Sequence, residues 1–301
     1  MQNMIKGLIA AAFSPMHEDG SLHVELIPRM VEYLLQRPIQ GLYVCGSTGE
    51  GPLLSVEERK RVAAAYINAV KKQIPVFVHV GHDSLMEARS LASHAAQAGA
   101  DAIAAVGPCY FKPGSLGGLI KYLAEIAAAA PETDFYYYHI PQLSGNVFDV
   151  MEFLKQAPQR IPTLRGVKYS AITVYEFQDC KETFGDRYQL FFGCDEMLTS
   201  GLAAGADAAI GSTYNFLSRL YHQVMEAFTK GDVQTARRLQ LLSVRMVRVC
   251  YQYRGLPAIK AMMKMTGLDC GPTRLPLEAL SIEEYSKFKS QIESLGVCEW
   301  F

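Results

Sequence analysis

The sequence predicts an α/β fold of the (β/α)₈ kind, a TIM barrel, over residues 1–230, with a C-terminal helical appendage packed on it over residues 231–301. Three observations carry this. Eight short apolar runs recur along the chain, each followed by a longer amphipathic stretch. The runs are apolar throughout instead of alternating with polar residues, the mark of parallel strands covered on both faces by helices. Their number and spacing suit a closed barrel, which typically takes about 250 residues. A doubly wound open sheet competes with this reading, but no GxGxxG motif follows the first run.

The predicted strands fall at 8–13, 41–45, 76–80, 102–106, 135–140, 164–169, 190–192 and 208–210. Helices follow them, for example over 55–72 and 84–97. Ser55 with Glu58 three residues later reads as a capping box that starts the first of these. Beyond the eighth unit the strand signal stops. Residues 236–253, 258–266 and 282–295 read as helices, with Gly271-Pro272 as a breaker between the last two.

Bulk properties narrow the function. The chain has 301 residues, 50% hydrophobic and 20% charged, with a formal net charge of −1. That balance gives no electrostatic case for nucleic acid or a membrane surface as partner. The 7 cysteines are scattered without a CxxC pair, which fits free thiols in a reducing compartment. The N-terminus is a poor signal peptide and no apolar run reaches the ~20 residues of a membrane span, so a cytoplasmic location is expected.

In barrel enzymes the chemistry sits at the carboxyl ends of the strands. Lys168 ends the sixth strand, in Gly166-Val167-Lys168-Tyr169-Ser170. Burial disfavours an ammonium, and a neutral amine is a nucleophile that condenses with ketones. A lysine in that place can also simply snorkel to solvent. Its company decides. The second strand ends in Cys45-Gly46-Ser47-Thr48-Gly49-Glu50, a glycine-flanked loop whose amides and hydroxyls suit a carboxylate. Because Ser55 already caps the following helix, Ser47 and Thr48 are left for binding; Glu50 is left without an assigned role, with orienting the loop as the one reading it offers.

The fifth strand carries Tyr136-Tyr137-Tyr138-His139. Alternation puts Tyr136 and Tyr138 on one face and Tyr137 and His139 on the other, so Tyr138 is the candidate proton carrier and His139 a packed residue. The seventh strand ends in Gly193-Cys194-Asp195-Glu196 and the eighth in Gly211-Ser212-Thr213. Asp195 and Glu196 can cap a helix start or accept hydrogen bonds from sugar hydroxyls. They would repel a phosphate, and adjacent carboxylates do not suit a glycosidase pair, which needs about 5–9 Å between them. Cys45, Cys109, Cys194 and His139 lack the paired spacing of metal ligands, so no metal is expected.

This ordered set resembles the dihydrodipicolinate synthase/N-acetylneuraminate lyase family. The resemblance covers essentially the whole chain, including Gly271-Pro272-Thr273-Arg274-Leu275-Pro276-Leu277. It implies that Lys168 forms a Schiff base with a 2-keto acid, that Tyr138 acts as acid and base, and that Ser47 and Thr48 hold the pyruvate carboxylate. It also implies that Tyr110 reaches into a neighbouring subunit of a homotetramer, and that no cofactor is used. Synthases of the family usually carry an arginine five residues after the tyrosine; here Leu143 stands there. The resemblance is closer to the lyase branch, which implies reversible cleavage of N-acetylneuraminate to pyruvate and N-acetylmannosamine. Ser170, Gly193, Asp195, Glu196 and Ser212 would then bind the sugar polyol. Cys109 in place of an aromatic, and His139, depart from the usual pattern and leave substrate preference open. An aldolase of another 2-keto-3-deoxy sugar acid, a dihydrodipicolinate synthase and a non-catalytic keto-acid sensor are the competing readings.

Overall fold

Eight parallel strands close on one another in sequence order in the computed structural model, which describes residues 4–301. They are β1 (Gly7–Ala11), β2 (Gly41–Val44), β3 (Val76–His79), β4 (Ala102–Ala105), β5 (Asp134–His139), β6 (Leu164–Tyr169), β7 (Gln189–Phe192) and β8 (Ala208–Gly211). The ring closes where β8 pairs with β1. All eight predicted strands are present, with ends displaced by two residues or fewer.

Alternation along the strands sorts the core into two shells. Leu42, Val44, Val78, Ile103, Tyr137 and Val167 face the surrounding helices. Ile9, Tyr43, Phe77, Tyr136, Tyr138, Phe191 and Ile210 face the barrel axis. Phe77 meets Tyr136 and Phe191 edge-on, at 5.2 and 5.5 Å between ring centres. These rings plug the interior, as side-chain layers fill other TIM barrels, and give the cavity above them a solid floor. The helices start as the sequence predicts. Ser55 and Glu58 form the expected capping box on the Val56–Val70 helix, and Ser84 caps Leu85–Ala98.

One irregularity matters for the site. Phe135 pairs with Leu164, but Tyr136 pairs with Gly166, so Arg165 is an extra residue in β6. This bulge advances the register by one residue and brings Tyr138 directly opposite Lys168. Gly166 permits it: a Cβ there would stand 1.8 Å from the Gln189 carbonyl oxygen of β7.

After the barrel come the Val233–Gln252, Leu256–Met265 and Ile282–Ser294 helices. Among the described residues no helix is long and apolar enough to cross a membrane.

Candidate active site

A cavity of about 460 Å³ opens at the carboxyl ends of the strands, within the range of small-molecule sites. It is lined by Ser47, Thr48, Tyr138, Lys168, Ser170, Gly193, Asp195, Glu196 and Ser212. Nine of the ten residues singled out from sequence therefore converge on one space. A smaller cavity of about 180 Å³, bordered by Asp134, Arg165 and Arg187, lies at the amino end of the barrel.

Lys168 is only 5% exposed. Its Nζ lies 4.1 Å from the centre of the Tyr43 ring and 4.2 Å from that of Tyr138, and it enters no ion pair among the described residues. Two aromatic faces can stabilise an ammonium, but they leave the nitrogen without a hydrogen-bonded carboxylate to block it. Tyr43 is the residue that sequence reading missed. Its phenol oxygen is buried without a partner, and burial pushes its pKa well up. Alternation along β2 could have flagged it as inward-facing; only the register shows which side chain it meets.

The loop after β2 is held in an unusual backbone. Cys45 and Glu50 adopt positive φ, at 59° and 54°, although neither is glycine. Such strain persists where surrounding bonds over-determine it. Here Glu50 N–H donates to the Ser47 carbonyl, Gly51 N–H to the Gly46 carbonyl, and the Ser14 hydroxyl to the Gly49 carbonyl. The loop thus presents Ser47 and Thr48 to the cavity on a fixed frame.

Across the mouth, Asp195 is buried, and its Oδ2 accepts both the amide (2.8 Å) and the hydroxyl (2.6 Å) of Thr213. Burial raises its pKa to about 6, against the lowering influence of those bonds. Its backbone carbonyl accepts a bond from Gln240 Nε2 on the Val233–Gln252 helix, so that helix holds the acidic turn in place. Gly211 is required below it, since a Cβ would stand 1.9 Å from the carboxylate. Gly193 likewise leaves room for the Ser170 hydroxyl, which is buried and unpartnered. Cys194 also lines the cavity, with its thiol pushed up to about 12 by burial, so it is neutral at physiological pH.

His139 faces away from Tyr138. It stacks on Tyr169 at 5.2 Å and approaches the Tyr137 hydroxyl, and burial lowers its pKa to about 4. Tyr110 is the one predicted residue that the chain does not bring to the cavity. It is 80% exposed, packed edge-on against Phe111, with its amide donating to Asp83. Leu143 is exposed too and brings no charge to the rim. Among the described residues, the group able to gather three metal ligands is His17, His23 and Glu25, and none of them lines the cavity.

Fold and cavity define the class: a TIM-barrel enzyme that works on a small molecule at the carboxyl ends of its strands. The chain belongs to the Dihydrodipicolinate synthetase family, whose profile matches residues 4–295. It is 40% identical over 298 residues to N-acetylneuraminate lyase A of Xenopus laevis, covering 97% of each chain. It is 38% identical over 296 residues to the N-acetylneuraminate lyase of Homo sapiens, covering 97% of this chain and 92% of that one. Among solved structures, Proteus mirabilis N-acetylneuraminate lyase superposes with a TM-score of 0.95 at 37% identity, covering 98% of this chain and all of the other. The sialic acid aldolase of Ruminococcus gnavus superposes with a TM-score of 0.91 at 32% identity, covering 98% of each.

Proposed function

We propose that this protein is a Schiff-base lyase that reversibly cleaves N-acetylneuraminate to pyruvate and N-acetylmannosamine. The observation that carries the reading is the position of Lys168: buried at the base of the cavity, unpaired, and opposite Tyr138. Family membership and lyase relatives over nearly the whole chain support the same chemistry.

The open-chain sugar enters with its carboxylate on Ser47 and Thr48. The Lys168 amine attacks the C2 ketone through its nitrogen lone pair, and the carbinolamine hydroxyl takes a proton from solvent and leaves as water to give an iminium. Beside the positive iminium Tyr138 gives up its phenol proton to solvent, and the phenolate takes the C4 hydroxyl proton as the C3–C4 bond breaks. The electron pair of that bond moves towards the iminium and leaves an enamine on Lys168, and the C4 oxygen becomes the aldehyde of N-acetylmannosamine. Protonation at C3 and hydrolysis release pyruvate and restore the amine. The floor of rings and the bonded loop keep the reacting groups in one geometry, where positioning and proton transfer are each worth orders of magnitude. Ser170, Gly193, Asp195, Glu196 and Ser212 line the side where the polyol would extend.

The assembly is a homotetramer in this reading. Tyr110, Phe111, Leu143 and Val147 are exposed apolar side chains on the segments that follow β4 and β5, and a second copy covering them would carry Tyr110 towards a neighbour's cavity. Seven free cysteines suit the cytoplasm.

Borohydride reduction in the presence of pyruvate tests the mechanism. The expected result is one pyruvate-derived mass increment, located on the peptide that holds Lys168. An adduct elsewhere, or none, overturns it. Faster turnover of 2-keto-3-deoxygluconate than of N-acetylneuraminate would keep the iminium and replace the substrate.

A further inference from the structure

Glu50 has no part in the chemistry above, yet it is among the most completely buried charged groups in the molecule. Its carboxylate meets Lys260, on the Leu256–Met265 helix, at 2.7 Å, with both side chains essentially sealed from solvent. The second carboxylate oxygen accepts the Arg274 amide at 2.7 Å. Lys260 also donates to the Pro272 carbonyl at 2.8 Å. Both oxygens of the carboxylate are therefore engaged, and every one of their partners lies beyond the barrel strands in sequence.

The same C-terminal segment holds the helix that follows the loop. The Arg274 guanidinium forms a two-point pair with Glu58, the capping residue of Val56–Val70, at 2.8 and 2.9 Å. It also donates to the Leu53 carbonyl at 3.1 Å. Segment 260–274 thus grips the loop that carries Ser47 and Thr48 at its end and again one turn later.

We infer that Lys260 is a positioning residue: by neutralising and fixing Glu50, it sets the Gly46–Glu50 loop so that Ser47 and Thr48 face a substrate carboxylate above Lys168. Three features carry this. Glu50 is in the left-handed backbone region, where a non-glycine residue stays only if its surroundings hold it. Its amide bonds back to the Ser47 carbonyl, so a rotation at Glu50 moves the hydroxyl-bearing residues directly. Lys260 is its ion-pair partner among the described residues, so loss of that ammonium leaves a buried anion that must protonate or move. The inference rests on the reading of Ser47 and Thr48 as the carboxylate clamp.

The test compares imine formation by pyruvate with that by pyruvamide, a ketone of similar size without the carboxylate. Borohydride-trapped enzyme is measured by mass against concentration of each. Lys260→Met is expected to lower the preference for pyruvate by about 10-fold to 100-fold, the scale of a misplaced binding group, while pyruvamide trapping changes little. General loosening of the fold would depress both ketones alike, and that result overturns the inference. Should Lys260→Met fail to fold, the double variant Glu50→Gln/Lys260→Met removes both charges at nearly constant volume and is read in the same way. A folded variant that keeps the full pyruvate preference also overturns it. Thr48→Ala separates the two layers: if it keeps the pyruvate preference while Lys260→Met loses it, the clamp assignment fails and Lys260 acts on the carboxylate by another route.

Discussion

Lys168 and Lys260 are both almost fully buried, at 5% and 1% exposure, but they sit in opposite surroundings. At the barrel mouth, Lys168 lies between two phenol rings and has no ion-pair partner among the described residues. Under the C-terminal helices, Lys260 has a carboxylate at 2.7 Å and a carbonyl at 2.8 Å. Burial pushes the Lys260 pKa down, and Glu50 pulls the other way. Burial alone therefore does not mark a nucleophile. The partner decides whether a buried amine is held as a structural cation or left with a nitrogen free to react.

The sharpest way to break this contrast is to make the same substitution at both sites. Lys168→Met is expected to abolish turnover, with kcat falling by at least about 10⁴-fold, because the covalent step is gone. Its melting temperature should be no lower than that of the parent, since an unpaired buried amine has been replaced by an apolar chain. Lys260→Met is expected to do the reverse in stability, at a cost of about 3–5 kcal/mol in denaturant unfolding, because it strands the buried Glu50 charge. Similar stability losses in the two variants would erase the distinction.

Tyr138→Phe probes the aromatic side of the contrast. The ring against the Lys168 amine remains and only the proton carrier is lost. Steady-state kcat should fall by about 10²–10⁴-fold, while borohydride with pyruvate still traps the enzyme. Loss of trapping would assign the phenol to imine formation as well.

The smallest effect concerns a third buried charge, Asp195, which has a threonine for a partner where Glu50 has a cation. Its folded pKa of about 6 lies above its ordinary 3.8. Protonation thus favours the folded state: the penalty for this carboxylate is present above pH 6 and is relieved as pH falls from about 6 towards 4. Asp195→Asn removes that titration. The melting temperature of the variant, relative to the parent, should be higher at about pH 7.5 than at about pH 4.5. An unchanged difference across that range would place Asp195 with the compensated charges.

Much of this was legible in the chain because the signals are local. A run of apolar residues announces a doubly covered strand, and a period of two separates Tyr138 from Tyr137 and His139 before any coordinates exist. The same reading placed Ser47, Thr48, Lys168, Ser170, Gly193, Asp195, Glu196 and Ser212 at strand ends, and one cavity gathers them. Tyr110, which the family resemblance assigns to a neighbouring subunit's site, is exposed and lies outside this chain's own cavity, where a strand's period has nothing to say of it. Tyr43 shows the converse: nothing local singles it out within its strand, and closure of the barrel sets its ring against the Lys168 amine.

The sequence by itself determined the order of elements and the face each strand residue takes, since both follow from composition and spacing over a few residues; it made Lys168 a candidate nucleophile only in the company of the other strand ends. Only the tertiary structure decided which groups meet. A single bulged residue, Arg165, aligns Tyr138 with Lys168 instead of Val167. Glu50 finds its cation 210 residues away in Lys260. Register and long-range pairing are settled by barrel closure and by packing of the last helices, and no local period encodes either.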